Sequence, residues 1–347
     1  MKSTNALNIA AVFLIVIVLR AGQNIFLPFV IALFLWALVW LLDNAFDGLF
    51  DRLGAASLKR WLSRPLSLAL IIGICYFIVA GIRSNIGNVS QSFILYQRNI
   101  AQIMERTSAH FGVDIARHVD IPALVDEINI PRLANRVLQN FAGFLSSITM
   151  ILLYLIFMLL EEKSIKRKFP LVFSNNKRVK EARKIMGEIL GKIKTYLFTK
   201  TLVSVATGAL GYVIMSYVGL DFALFWAIFI FLCNFIPTIG SIVASILPIT
   251  LALVQFPDTF TPFLICAVGI TSVQFLLGNI IEPRVMGKQI NISPLVQITS
   301  LVIWGYIWGI TGMFLCMPIL IILTIVLYNI PSTKHIAILM SEDGESI

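Results

Sequence analysis

Five neutral polar residues, Asn234, Thr238, Ser241, Gln274 and Asn279, lie within long apolar stretches of this chain. Carboxamides and hydroxyls in such places do one kind of chemistry. They hydrogen-bond, either to a neighbouring helix or to a neutral polar solute. Charge is scarcer. Glu282 and Arg284 flank Pro283 at the end of an apolar run, and a charge so close to a membrane helix is costly unless paired or functional. Glu282 reads in two ways. It is a carboxylate that binds a proton or cation and couples transport, or it pairs with Arg284 and locks or gates the helix end.

Catalytic constellations are missing. The chain has no Walker A pattern, no HExxH and no GxSxG, so nucleotide hydrolysis, zinc proteolysis and acyl transfer are poor readings. No enzyme and no cofactor are expected. His110 and His118 lie near Asp114 and Asp120; two histidines on a solvated helix read as polar surface rather than as a metal site. Cys75, Cys233, Cys266 and Cys316 all fall in apolar runs without metal-ligand spacing, which is how small buried hydrophobes are distributed.

Lipid-facing helices must position these residues. Hydrophobic residues make up 58% of the 347 and charged residues 13%, with a mean hydropathy of +0.90. A water-soluble domain carries about twice that charged fraction. The apolar residues are blocked into runs at 25–42, 65–82, 141–160, 198–220, 222–256, 260–281 and 294–328. A spanning helix needs roughly 20 such residues. A shorter run at 9–19 ends at Arg20, which suits a helix over 5–22 whose cation snorkels. With a second membrane segment so close behind, it reads as a retained helix rather than a cleaved signal. The fold class is therefore all-α: a polytopic membrane protein with about five or six full spans and two broken, re-entrant helical hairpins.

Charge sets the direction. Twelve of the 27 Lys and Arg lie between Lys163 and Lys200, and Arg52, Lys59, Arg60 and Arg64 cluster between two runs. Loops rich in Lys and Arg stay inside, so 83–140 falls outside and both termini fall in the cytoplasm. The basic clusters serve topology or an anionic leaflet, and no nucleic-acid partner is expected. The division predicted is 1–82 for the first membrane helices and 83–140 for an extracytoplasmic helical segment. A span at 141–160 and a basic amphipathic helix at 161–197 follow. Then come a transport region with the broken hairpins at 198–330 and a cytoplasmic tail at 331–347.

Two stretches do not fit as single helices. Residues 222–256 would run about 52 Å at 1.5 Å per residue, too long for one span and too short for two. Asn234-Phe-Ile-Pro237-Thr238-Ile-Gly240-Ser241 sits at the centre. Residues 294–329 repeat the pattern around Trp304-Gly305, Trp308-Gly309 and Gly312. Proline and glycine there free backbone groups, which is tolerated only inside protein or along a watery cavity. Each broken stretch follows one clean span, and the charge rule runs those spans in opposite directions. Inverted repeats with paired interruptions place a solute site near the midplane.

Gly278-Asn-Ile-Ile-Glu282-Pro-Arg284-Val-Met-Gly287 resembles the autoinducer-2 exporter family of bacterial inner-membrane proteins. So do Ser293-Pro-Leu-Val296, Gly312-Met-Phe-Leu-Cys-Met-Pro318, Asn234-Phe-Ile-Pro237-Thr-Ile-Gly240, Leu27-Pro-Phe-Val-Ile-Ala-Leu33 and Leu159-Leu-Glu161. The resemblance implies export of a small polar solute such as autoinducer-2, by secondary or facilitated transport. As the alternative it implies a sodium(lithium)/proton antiporter, with protons or sodium as coupling ions, and it implies a homo-oligomer, pentameric in form. A third reading is a non-transporting oligomeric scaffold. The expected solute path runs past Asn234, Pro237, Thr238, Gly240, Ser241, Gln274, Asn279, Trp304, Gly305, Gly309 and Gly312, with Glu282 and Arg284 coupling or gating it.

Overall fold

The computed structural model describes residues 2–111, 148–162, 164, 167–168, 176–286 and 291–344. Asp114, His118, Asp120 and Gly287, and the predicted outer segment beyond position 111, lie outside these. Among the described residues the regular structure is helical throughout. In order, α1 is Lys2–Ala21, α2 Gln23–Arg52, α3 Ala56–Phe111, α4 148–162 and α5 Asn176–Val218. Then come α6 Ala223–Cys233, α7 Ile239–Gln255 and α8 Thr261–Phe275. α8 continues as a π-helical turn, Leu276–Ile281, into α9 Glu282–Met286. α10 Pro294–Asn329 and α11 Lys334–Met340 complete the order.

Among the described residues, five helical stretches are long and apolar enough to cross a membrane: Gln23–Arg52, Trp61–Ile78, Val179–Val218, Thr261–Met286 and Pro294–Asn329. The last is not one straight rod. At Trp308 and Gly309 the backbone leaves the helical region, with Gly309 at φ 63°, ψ −145°, a combination open essentially to glycine alone. A Cβ on Gly312 would run into the carbonyl of Trp304. In a straight helix, residues eight apart stand about 12 Å apart along the axis, so α10 folds back on itself here.

Elsewhere the helices outrun the sequence reading. α3 continues without a break through position 82, where the apolar character stops, and α5 continues through 197. Neither contains a proline beyond Pro65 near the start of α3, and polarity alone does not end a helix whose backbone bonds are all made.

The chain divides into two compact units, Met1–Ile71 with Phe144–Thr199 and Met286–Ile347, and Ile72–Gly143 with Lys200–Val285. In the first, Ala32, Ile151 and Leu155 form a core between α2 and α4, lined by Leu35, Trp36 and Met158. Arg64 joins it electrostatically, 3.0 Å from Asp43 and 2.9 Å from Glu162. The C-terminal end of α1 meets the turn of α10. Trp308 Nε1 donates to Leu19 O at 3.1 Å, and the Arg20 guanidinium lies 4.2 Å from the Tyr306 ring centroid.

The predicted tail is folded onto the start of α10. Asn291 is buried and uses both ends of its carboxamide: Nδ2 donates to Asp343, and Oδ1 accepts from Glu342 N at 3.0 Å. Ser293 N donates to Met340 O at 2.9 Å. Asn291→Asp sets a carboxylate against Asp343 and is expected to loosen this clasp by about 2 kcal/mol. Faster proteolytic cleavage within 330–344 is the readout; an unchanged cleavage rate would show that the clasp does not depend on Asn291.

Candidate functional site

The second unit is built around the break at 234–238. Its core is Met215 of α5 with Leu220 just beyond that helix, Ala227 and Ile230 of α6, Ala244 and Ala252 of α7, and Cys266 and Ile270 of α8. Small residues let these helices come close; a Cβ on Gly208 would lie 2.9 Å from Ala227 O. Ser204-x-x-x-Gly208 thus packs helices, as its spacing predicts.

α6 and α7 form a helical hairpin. A Cβ on Gly240 would overlap the Cys233 carbonyl and lie 2.9 Å from Ile236 Cβ. Between the arms, Ile236 N donates to Cys233 O at 2.9 Å and Ile239 N to Pro237 O at 2.6 Å. The second bond closes a γ-turn on Thr238, whose φ 58°, ψ −61° is the rare, strained form. A β-branched residue at positive φ is a marked outlier, and such strain gathers at functional tips. Thr238→Gly is expected to stabilise the fold by about 1 kcal/mol, read from the denaturation midpoint; no gain would mean that Thr238 is not strained.

The polar residues sort themselves by position. Asn234 is buried, 4% exposed, and its Nδ2 donates to Ser204 Oγ at 3.2 Å. Gln274 is 8% exposed and its Nε2 has no hydrogen-bond partner among the described residues. A buried N–H donor left open is costly, and Trp226 Nε1 is a second such donor in this unit. Ser241 Oγ turns back to Thr238 O at 2.9 Å. Asn279 and Thr238 are exposed. Trp304, Gly305, Gly309 and Gly312 belong to the other unit, where Trp304 and Trp308 lie ring to ring at 4.9 Å between centroids.

Glu282 is paired, but not with Arg284. Its carboxylate takes Lys200 Nζ of α5 at 2.6 Å, the two side chains being 16% and 9% exposed; Arg284 is exposed. The cause lies in the π turn just before it. Pro283 has no N–H and would clash with the Asn279 carbonyl in an α-helix. The turn widens so that Glu282 N donates to Leu277 O, five residues back, and this helix form recurs at functional sites. Sequence reasoning counted Lys200 only as one more inward-staying cation. The available signal was its place at the start of the 198–220 run, the same inner level to which the charge rule assigns Glu282.

At their other ends the hairpin arms are tied down. Tyr96 Oη donates to Asp221 at 2.6 Å and Asn99 Nδ2 to Val254 O at 2.9 Å. Gln255 Nε2 donates to Gly219 O at 2.9 Å, and its Oε1 accepts from Asp221 N at 2.8 Å. Burial and the facing Asp221 carboxylate raise the Tyr96 phenol above its ordinary range, so it remains a donor. The hairpin is thus anchored at its open end, with its tip on Ser204.

An Escherichia coli protein named AI-2 transport protein TqsA is 29% identical over 328 residues, covering 93% of this chain and 91% of its own length. A Haemophilus influenzae protein carrying the name "Putative transport protein" is 31% identical, over 97% of this chain and 95% of its own. A Bacillus subtilis protein, YueF, is 23% identical over 93% and 92%. The profile of the AI-2E family transporters matches residues 7–332, and this multi-pass membrane protein belongs to that family.

Proposed function

We propose that the protein exports a small polar solute across a bacterial inner membrane by secondary or facilitated transport. Autoinducer-2, the cargo in the name of the E. coli relative, is the first candidate. The observation that carries this reading is two buried carboxamides in the second unit, Asn234 at the α6–α7 tip and Gln274 in α8. A buried carboxamide is hydrogen-bonded to Ser204, and a second carboxamide, Gln274, keeps its donor open. Neutral donors and acceptors suit a neutral guest, because a charged one demands a counter-charge. Ser204 lies fourteen residues before the end of α5 at Val218, about 21 Å at 1.5 Å per residue, which supports a tip within a core about 30 Å thick.

In this reading the α6–α7 hairpin is re-entrant, and the folded α10 is its inverted counterpart. Both tips close with a glycine over a backbone carbonyl, Gly240 on Cys233 and Gly312 on Trp304. The termini are cytoplasmic by the charge rule. The extensive exposed apolar surface, including Trp61, Tyr217 and Ile310, meets lipid and further copies of the chain in a homo-oligomer.

One observation favours a second reading, a sodium/proton antiporter: Glu282 is a largely buried carboxylate. Its ammonium partner already neutralises it, which weighs against free cation binding. Flux in sealed proteoliposomes decides between them. Labelled autoinducer-2 is loaded on one side, with and without a pH or sodium gradient. Efflux at least tenfold above protein-free vesicles supports the exporter. No solute efflux, but proton movement driven by sodium, makes the antiporter the better account, and neither movement leaves a non-transporting scaffold.

A further inference from the structure

We propose that Lys200 and Glu282 are the two halves of an inner gate that opens and closes in each transport cycle, with Lys200 also setting the α6–α7 tip. The proposal rests on the transport reading above and adds a residue and a moving contact to it. Four observations converge. The pair is short, 2.6 Å, and mostly withdrawn from solvent. Lys200 and Ser204 stand one helical turn apart on one face of α5, so the residue that holds Glu282 adjoins the residue that holds Asn234 of the tip. Glu282 follows the π turn Leu276–Ile281. A π turn carries one residue more than an α turn, and shifting it along the helix re-aims the side chains beyond. Finally, Gln274 lies in α8 two turns before Glu282, with its amide donor open.

The mechanism follows from these contacts. With the pair made, α5 and α9 are joined at the inner end and the tip is fixed through Ser204. When a solute takes hydrogen bonds at Asn234, the Asn234–Ser204 bond is the one displaced. The π turn then lets Glu282 swing from Lys200 and opens the path inward of the tip. Re-forming the pair resets the tip. A static brace needs none of this; it needs only stability, and buried ion pairs are replaced by matched apolar residues without loss of stability.

The test compares four variants of the full-length protein reconstituted in vesicles. They are Lys200→Met with Glu282→Leu, the exchange Lys200→Glu with Glu282→Lys, and the two single exchanges. A gate predicts that the apolar pair folds with a wild-type denaturation midpoint, yet its autoinducer-2 flux changes at least tenfold. It also predicts that the double exchange raises flux at least tenfold over either single one. An apolar pair that folds and carries wild-type flux overturns the gate. If the variants do not assemble, amide hydrogen exchange in the wild type decides. Exchange over 276–286 at least tenfold faster than over 262–275 supports an opening pair, and equal rates overturn it. Wild-type vesicles without any autoinducer-2 efflux would overturn the cargo instead, since the exchange measurement requires no cargo.

Discussion

Gly240→Ala is expected to disable the protein, cutting solute flux at least tenfold and Gly240→Leu abolishing it. The added Cβ meets the Cys233 carbonyl oxygen and carbon and, at 2.9 Å, Ile236 Cβ. Two of these three are backbone atoms, so no rotamer change relieves the clash. The turn cannot simply open either. Gly240 N is bonded to Ile236 O at 3.3 Å and Ile236 N to Cys233 O at 2.9 Å. Overpacking of side chains typically costs about 1–3 kcal/mol, and a clash with the Cys233 backbone falls at the upper end. A loss of 1.36 kcal/mol in a functional state is about tenfold. Flux and denaturation midpoint measured together check this. Flux retained with a lowered midpoint would make the hairpin a structural element only, as a scaffold requires.

Glu282→Gln is expected to cost more stability than any other isosteric change in the second unit. The Lys200 ammonium, 9% exposed, would lose its 2.6 Å carboxylate. Removing one partner of a buried pair costs about 3–5 kcal/mol, because the other charge is left uncompensated. For a domain of this size that is on the order of 10 °C in the denaturation midpoint. Lys200→Met should cost a similar amount, and the two together much less than their sum, since the double change leaves no orphan charge. Additive losses would mean that the two groups do not interact.

The helical class and the two breaks were legible because hydropathy and length admit few solutions in lipid. A run of 35 apolar residues with Pro237 and Gly240 at its centre has to fold back. Asn234 and Gln274 were legible as buried polar groups for the same reason. Two kinds of fact were not. Partners across the fold depend on which helices become neighbours, so Glu282 was matched to nearby Arg284 rather than to Lys200, 82 positions away. Exposure within a short polar motif depends on helix rotation. The π turn that Pro283 requires adds a residue to that rotation, and Asn279 faces outward as a result. Helix ends were legible only where a breaker marks them, which is why α3 runs on past the end of its apolar run and α5 begins well before its own.

The bond from Trp308 to Leu19 spans 289 positions, and it imposes a schedule on biosynthesis. Ribosomes add about 5–20 residues per second, so α1 waits on the order of 15–60 s for its acceptor to be filled. Contacts this distant in sequence form late. Throughout that interval Leu19 O and Arg20 must be accommodated by the insertion machinery or by lipid headgroups, and a chain halted before Trp308 leaves the ribosome with its first helix unmoored.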